Sequence, residues 1–266
     1  MLRRLGFVRR GWFLVLIVGL ALFFVAEEVL RITDNPNLIP TVILLGAFLV
    51  PLTFVTFIFE YEPVKDVPLP TVIVCFLWGG IIGIAAAGLL EYATLQSLAF
   101  PGLLVIAVIE EAVKLIVPLI LYGRGRYRKE ADGLLFGVSS GMAFAALETM
   151  GYGLVALINS QGSIAALQNI LLVRGLLSPA GHAAWTGLVC AVIWRQRARG
   201  RSIFNSAVLG TFALAVILHA LWDFFDLMPS EPAMLAAISI AGNVAVAGIS
   251  VLLLVRRIRE SARAAT

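Results

Sequence analysis

Apolar residues fill the chain in eight long runs, separated by short connections that carry most of the charge. The runs fall at roughly 11–30, 40–59, 71–93, 98–122, 134–158, 171–194, 203–225 and 233–255. About 20 helical residues cover the hydrocarbon core of a bilayer. The pattern therefore predicts an all-α, polytopic membrane helix bundle with about eight transmembrane helices. A single transmembrane domain over residues 1–266 accounts for the whole chain. The longest connections are 60–70 and 159–169, too short for a soluble domain. Small residues crowd 79–88 and 136–148, and such stretches let helices approach closely. We read them as packing faces. The first run follows Arg3, Arg4, Arg9 and Arg10 and leads into Glu27 and Glu28 without a small-residue cleavage site, so it reads as a retained signal anchor.

Basic residues set the expected orientation. Arg3, Arg4, Arg9 and Arg10 precede run one, and Lys65 follows run two. Arg124, Arg126, Arg128 and Lys129 follow run four; Arg195, Arg197, Arg199 and Arg201 follow run six; Arg256, Arg257, Arg259 and Arg263 follow run eight. Of the 20 Lys and Arg residues, only Arg31 lies in a connection on the opposite side, with Lys114 and Arg174 inside runs. Eight spans with both termini cytoplasmic reproduce this bias. These charges read as topology signals. A nucleic-acid partner would need a basic domain, and none exists.

Composition adds the class. Hydrophobic residues make up 61% of the chain and charged ones 14%, with a mean hydropathy of +0.99. An average soluble domain carries about 25% charged residues. Cys75 and Cys190 both sit inside apolar runs, which argues against a disulfide framework. The expected setting is an integral, multi-pass protein of a bacterial cytoplasmic membrane.

Charge inside the runs then becomes the informative feature, because a charged side chain at mid-bilayer costs about 3 kcal/mol on insertion scales. Run four carries Glu110, Glu111 and Lys114. Glu110 and Lys114 are four apart and share a helix face, whereas Glu111 points about 100° away and needs another partner. Run five carries Glu148 after Phe144, and run six carries Arg174, Pro179 and His182. Pro179 removes a backbone donor and is expected to bend or loosen its helix. Run seven carries His219 and Asp223, four apart on one face, where the carboxylate can orient the imidazole or serve as a ligand. Both histidines of the chain lie in runs. A lone intramembrane His or Glu is most simply a helix-packing polar group, and a Glu/Lys pair a register device. Their recurrence in four successive runs favours one shared site. Counted from the cytoplasmic ends at about 1.5 Å per residue, Glu110, Glu148, His182 and His219 all reach roughly 18–24 Å. The catalytic layer is thus expected within 98–225, and its carboxylates are suited to taking a proton from water.

These motifs together resemble the PrsW family of intramembrane proteases, relatives of the CAAX prenyl endopeptidases and Abi membrane proteins. The family pattern is E-E-x-x-K, F-x-x-x-E, a His-containing segment and H-x-x-x-D. Here those are Glu110, Glu111 and Lys114; Phe144 and Glu148; Arg174 through Pro179 to His182; and His219 with Asp223. The resemblance implies an endopeptidase that cuts single-span, membrane-anchored substrates such as anti-sigma-factor-like regulators. It implies catalytic roles for Glu110, Glu111, Glu148, His182, His219 and Asp223, with Lys114 and Arg174 in support. It leaves two mechanisms open. Zinc accepts two His and a carboxylate, which His182, His219 and Glu148 would supply. Alternatively a glutamate activates water while histidines hold the oxyanion. Run six lacks an H-E-x-x-H zinc helix, and the Gly/Ser stretch at 137–141 is more simply a packing helix than a serine nucleophile. A proton- or ion-coupled transporter is the rival reading, since such residues also build proton relays. It lacks an inverted repeat. A non-catalytic scaffold of the Aph-1 type is a third. Cleavage is expected in the outer third of a substrate's span, where a helix must unwind to expose its carbonyls.

Overall fold

The computed structural model describes residues 10–61, 66–97, 102–229 and 231–264. Arg3, Arg4, Arg9 and Lys65 of the charge pattern lie outside them, as do the first residues of run four. The described residues form helices and no strand. In order these are α1 Gly11–Thr33, α2 Ile39–Tyr61, α3 Leu69–Ser97, α4 Leu103–Lys114, α5 Ile116–Gly123, α6 Glu130–Asn159, α7 Ile164–Leu177, α8 His182–Ala198, α9 Ser206–Asp226 and α10 Ala233–Ala264. Seven of the described helical segments are long and apolar enough to cross a membrane, with α7 and α8 counted as one. The protein is a polytopic, all-helical membrane protein.

Run four differs from the single helix expected. Pro118 has no N–H to give the Lys114 carbonyl, and its ring crowds that oxygen. The helix breaks at Leu115, whose N–H turns back to the Ala112 carbonyl at 3.1 Å. Ser140 Oγ takes over the missing role and donates to the Lys114 carbonyl at 2.7 Å. An unmet carbonyl at this depth would cost several kcal/mol. The connection expected at 159–169 is also shorter than its sequence suggested. Gln161 and Gly162, at φ 55° and 92°, close α6 with the Gly162 N–H on the Leu157 carbonyl at 2.8 Å. Ser163 then caps α7 through the Ala166 N–H. The uncharged residues 164–169 are helical.

The helices divide into two compact units, one of Met1–Glu62 with Ala145–Pro179 and one of Pro63–Phe144 with Ala180–Thr266. In the first, α1, α2 and α7 close on Leu30, Val42, Ile43, Ala47, Leu157, Leu167 and Leu171. Glu60 receives the Gly11 N–H at 2.9 Å, meeting an orphan donor at the start of α1. Polar residues pair within this unit: Gln168 with Glu27, and Arg174 Nη2 with Glu148 Oε2 at 2.8 Å, the guanidinium lying 3.9 Å from the Tyr152 ring centre.

In the second unit the first half of α6 is threaded between α3 and α8 by small residues. Gly133, Gly137 and Gly141 face the backbone of α8 at Cys190, Thr186 and His182 in turn. On the opposite side Gly79, Gly80 and Gly83 of α3 meet Ser140, Ala143 and Phe144. This is the close-approach packing expected of small residues in a membrane, where apolar area alone does not drive association. Nearly all of α8 is buried as a result. Trp194 Nε1 donates to the Tyr127 carbonyl at 3.1 Å, and Arg197 caps the Tyr122 carbonyl at 2.5 Å, in an aromatic belt beside the basic connection after α5. Helices α4, α8, α9 and α10 meet around the charged residues described next.

Candidate active site

The break at Leu115 ends α4 on Lys114, a fully buried ammonium in the second unit. A buried charge persists only if its partners are close. Lys114 Nζ donates to Glu111 Oε1 at 2.6 Å and to His182 Nδ1 at 2.8 Å, and stands 4.7 Å from the Phe144 ring centre. Glu110 Oε2 is 3.7 Å away. The expected pair of Lys114 with Glu110 at i−4 is present, and Lys114 also binds Glu111, one turn back at i−3, more tightly.

Glu111 is the organiser of the cluster. Its Oε1 also receives His219 Nδ1 at 2.8 Å, and its Oε2 receives the Thr186 hydroxyl at 3.4 Å. His219, on α9, turns its other nitrogen outward. Nε2 stands 3.6 Å from Glu110 Oε2 and 3.5 Å from Asp223 Oδ2. The orienting carboxylate for His219 is thus Glu111 rather than Asp223, although Asp223 shares its helix face. His182 opens α8, two residues after the 3-10 turn Ser178–Ala180, where Pro179 was expected to bend or loosen the helix. Its ring meets His219 edge to face at 5.4 Å.

Hydrogen-bond chemistry assigns the two imidazoles opposite tautomers. A carboxylate only accepts, so a neutral His219 carries its proton on Nδ1 and presents a lone pair at Nε2. An ammonium only donates, so His182 accepts at Nδ1 and carries its proton on Nε2. One histidine offers an acceptor or ligand, the other a donor.

Exposure grades across the cluster. Glu111 is 1% exposed and Glu110 8%, while the Asp223 side chain reaches 27%. The sequence-derived residues Glu110, Glu111, Lys114, His182, His219 and Asp223 come together in the second unit. Glu148 and Arg174 pair with each other in the first. Three participants escaped the sequence reading. Thr186 lies one turn after His182, and that spacing was a usable signal. Ser140 was visible only through Pro118, four residues after the carbonyl it serves. Trp185, stacked on His219 with ring centres 4.8 Å apart, had no signal beyond its neighbourhood to His182.

The model of the PrsW family intramembrane metalloproteases matches residues 67–255, more than half of the chain. No curated protein and no solved structure matches the chain. The matched stretch holds every member of the cluster, with E-E-x-x-K and H-x-x-x-D meeting through Glu111. The chain thus belongs to the PrsW family of intramembrane metalloproteases and is a multi-pass membrane protease.

Proposed function

We propose that this protease hydrolyses a peptide bond of a single-span, membrane-anchored protein, with Glu110 as the base that activates water. The observation that carries this reading is the inequality of the two glutamates. Glu111 is committed on both oxygens to Lys114, His219 and Thr186. Glu110 Oε2 faces Lys114 and His219 Nε2 at 3.7 and 3.6 Å, separations that suit a shared third atom such as water. The water oxygen attacks the scissile carbonyl carbon as its proton passes to Glu110. The Nε2–H of His182 stabilises the oxyanion. Glu110 then returns the proton to the leaving nitrogen as the C–N bond breaks.

The family implies a metal, and pairs of donors in this cluster stand at a spacing that suits one. Ligand atoms about 2.0–2.1 Å from a tetrahedral zinc lie roughly 3.4 Å apart. His219 Nε2 stands at about that spacing from both Glu110 Oε2 and Asp223 Oδ2. The Glu111–His219 bond is the carboxylate–histidine pairing that fixes a ligating imidazole. His219 would hold the ion with Glu110 or Asp223, and the ion would polarise water or the carbonyl. His182, with Lys114 donating to Nδ1, suits the donor role better than that of ligand. Glu148 enters this reading through its depth by residue count and through the family motif.

With both termini cytoplasmic, Asp223 lies toward the extracytoplasmic side, and the rise in exposure from Glu111 to Asp223 supports entry from there. The scissile bond is then in the outer third of the substrate's span or just beyond it, and helix-breaking residues near it raise the rate. In a bacterial cytoplasmic membrane a membrane-anchored regulator of the anti-sigma type fits as substrate. Mass spectrometry of products from a reconstituted single-span substrate tests this. A cut near the cytoplasmic end contradicts the geometry.

A further inference from the structure

The last helix takes part in the site. Ser250 of α10 is fully buried, and its hydroxyl oxygen accepts the indole N–H of Trp185 at 2.9 Å. An indole nitrogen only donates, and inside a membrane that proton needs an acceptor. The bond fixes the plane of Trp185. That plane lies against the face of His219, with ring centres 4.8 Å apart and an angle of 22° between them. The only other described ring partner of His219 is His182, which meets it edge-on.

The arrangement matters because of what holds His219 otherwise. Its single short hydrogen bond, from Nδ1 to Glu111, fixes one atom and leaves the ring able to tilt about that bond. A flat surface on the ring face removes the tilt. The aim of Nε2, at 3.6 Å from Glu110 and 3.5 Å from Asp223, then depends on the indole. Reacting groups held this way need to stay within about 0.5 Å and 10–20°.

We infer that Trp185 and Ser250 are positioning residues for His219, so that α10 sets the angle of the imidazole through a serine–indole–imidazole stack. The inference rests on the proposed role of His219 in the site. Neither residue meets the substrate. Both act on turnover through the ring they hold.

The test compares Ser250→Ala, Ser250→Thr and Trp185→Phe in the purified full-length protein, with Ser239→Ala as control. Ser239 also lies on α10 and donates to a backbone oxygen, that of Phe225 at 2.6 Å, rather than to a side chain of the cluster. Loss of one buried hydrogen bond corresponds to up to about tenfold in rate. Ser250→Ala and Trp185→Phe should each lower kcat about tenfold with KM unchanged, and the double variant should be no worse than either single one. Ser250→Thr should restore kcat, and Ser239→Ala should leave it at the parent value. The chain has 2 histidines, so ring resonances of histidine-labelled protein are assigned by removing each in turn. The His219 ring protons, shielded by the indole face, should move downfield in Ser250→Ala. An unchanged kcat with unmoved His219 resonances in both Ser250→Ala and Trp185→Phe overturns the positioning role. If His219→Ala itself keeps full turnover, the site reading falls and this proposal with it. Lost turnover in His219→Ala beside unchanged Ser250→Ala overturns the positioning role alone.

Discussion

Lys114 Nζ lies 2.6 Å from Glu111 Oε1 and 3.7 Å from Glu110 Oε2, so two adjacent glutamates of one motif hold different positions in the same cluster. One is the structural half of a buried ion pair. The other borders it. Removing the ammonium leaves Glu111 charged and buried without its main counter-ion. Lys114→Met should therefore lower stability by about 3–5 kcal/mol, and Lys114→Met with Glu111→Gln should recover most of the loss. Thermal unfolding in detergent measures both. A parent-like melting temperature in Lys114→Met would contradict the pairing.

The break at Leu115 makes a second, separable claim. Ser140 serves the Lys114 carbonyl because Pro118 cannot. Ser140→Ala should cost about 1–3 kcal/mol in the parent protein. In a Pro118→Ala background, where a helical N–H is restored, the same change should cost little. Equal losses in both backgrounds would show that the hydroxyl does something else.

Glycines in the second unit should differ sharply in tolerance. A Cβ on Gly137 would fall 2.5 Å from the Thr186 carbonyl oxygen and 2.9 Å from Gly187 Cα, both backbone atoms that cannot move aside. Gly137→Ala should destabilise by about 1–3 kcal/mol. Nothing lies within 4 Å of the corresponding point on Gly88, and Gly88→Ala should be neutral or stabilising by up to about 1 kcal/mol. Matching effects at the two positions would argue against the threaded packing of α6.

Much of this was legible in the sequence, for physical reasons. Bilayer thickness forces long apolar runs, and the cost of buried charge makes Glu110, Glu111, His182, His219 and Asp223 conspicuous. Counting residues to a common depth placed four of the polar side chains in one layer, but depth says nothing of direction around a helix. Which glutamate lies nearer Lys114 depends on side-chain direction, which hydropathy does not register; the helix break after Lys114 is also silent in hydropathy, although Pro118 signals it. Ser250 was illegible because a serine in an apolar helix looks the same whether it packs, caps or anchors. Glu148 was read as a site residue from its depth and the family motif and Arg174 from the motif, and their mutual pairing came only from the structure.

The tautomer assignment separates the histidines in metal binding. His219 presents a lone pair at Nε2, and His182 presents a proton. Purified protein should hold about one zinc equivalent. His219→Ala should lose it, and His182→Ala should retain it while losing turnover. Elemental analysis after dialysis reads the ion without reference to activity. Loss of zinc in His182→Ala with retention in His219→Ala would reverse the assignment.

The central claim is that Glu110 is the base and Glu111 the frame. Substitution by glutamine keeps shape and removes the carboxylate. Glu111→Gln should lose stability and turnover together, because Lys114 and His219 both depend on it. Glu110→Gln should unfold at the parent temperature. The direct measurement is the cleavage rate of a reconstituted single-span substrate by Glu110→Gln protein. The account predicts a fall of about 10²–10⁴-fold with the fold intact; cleavage at the parent rate would contradict it.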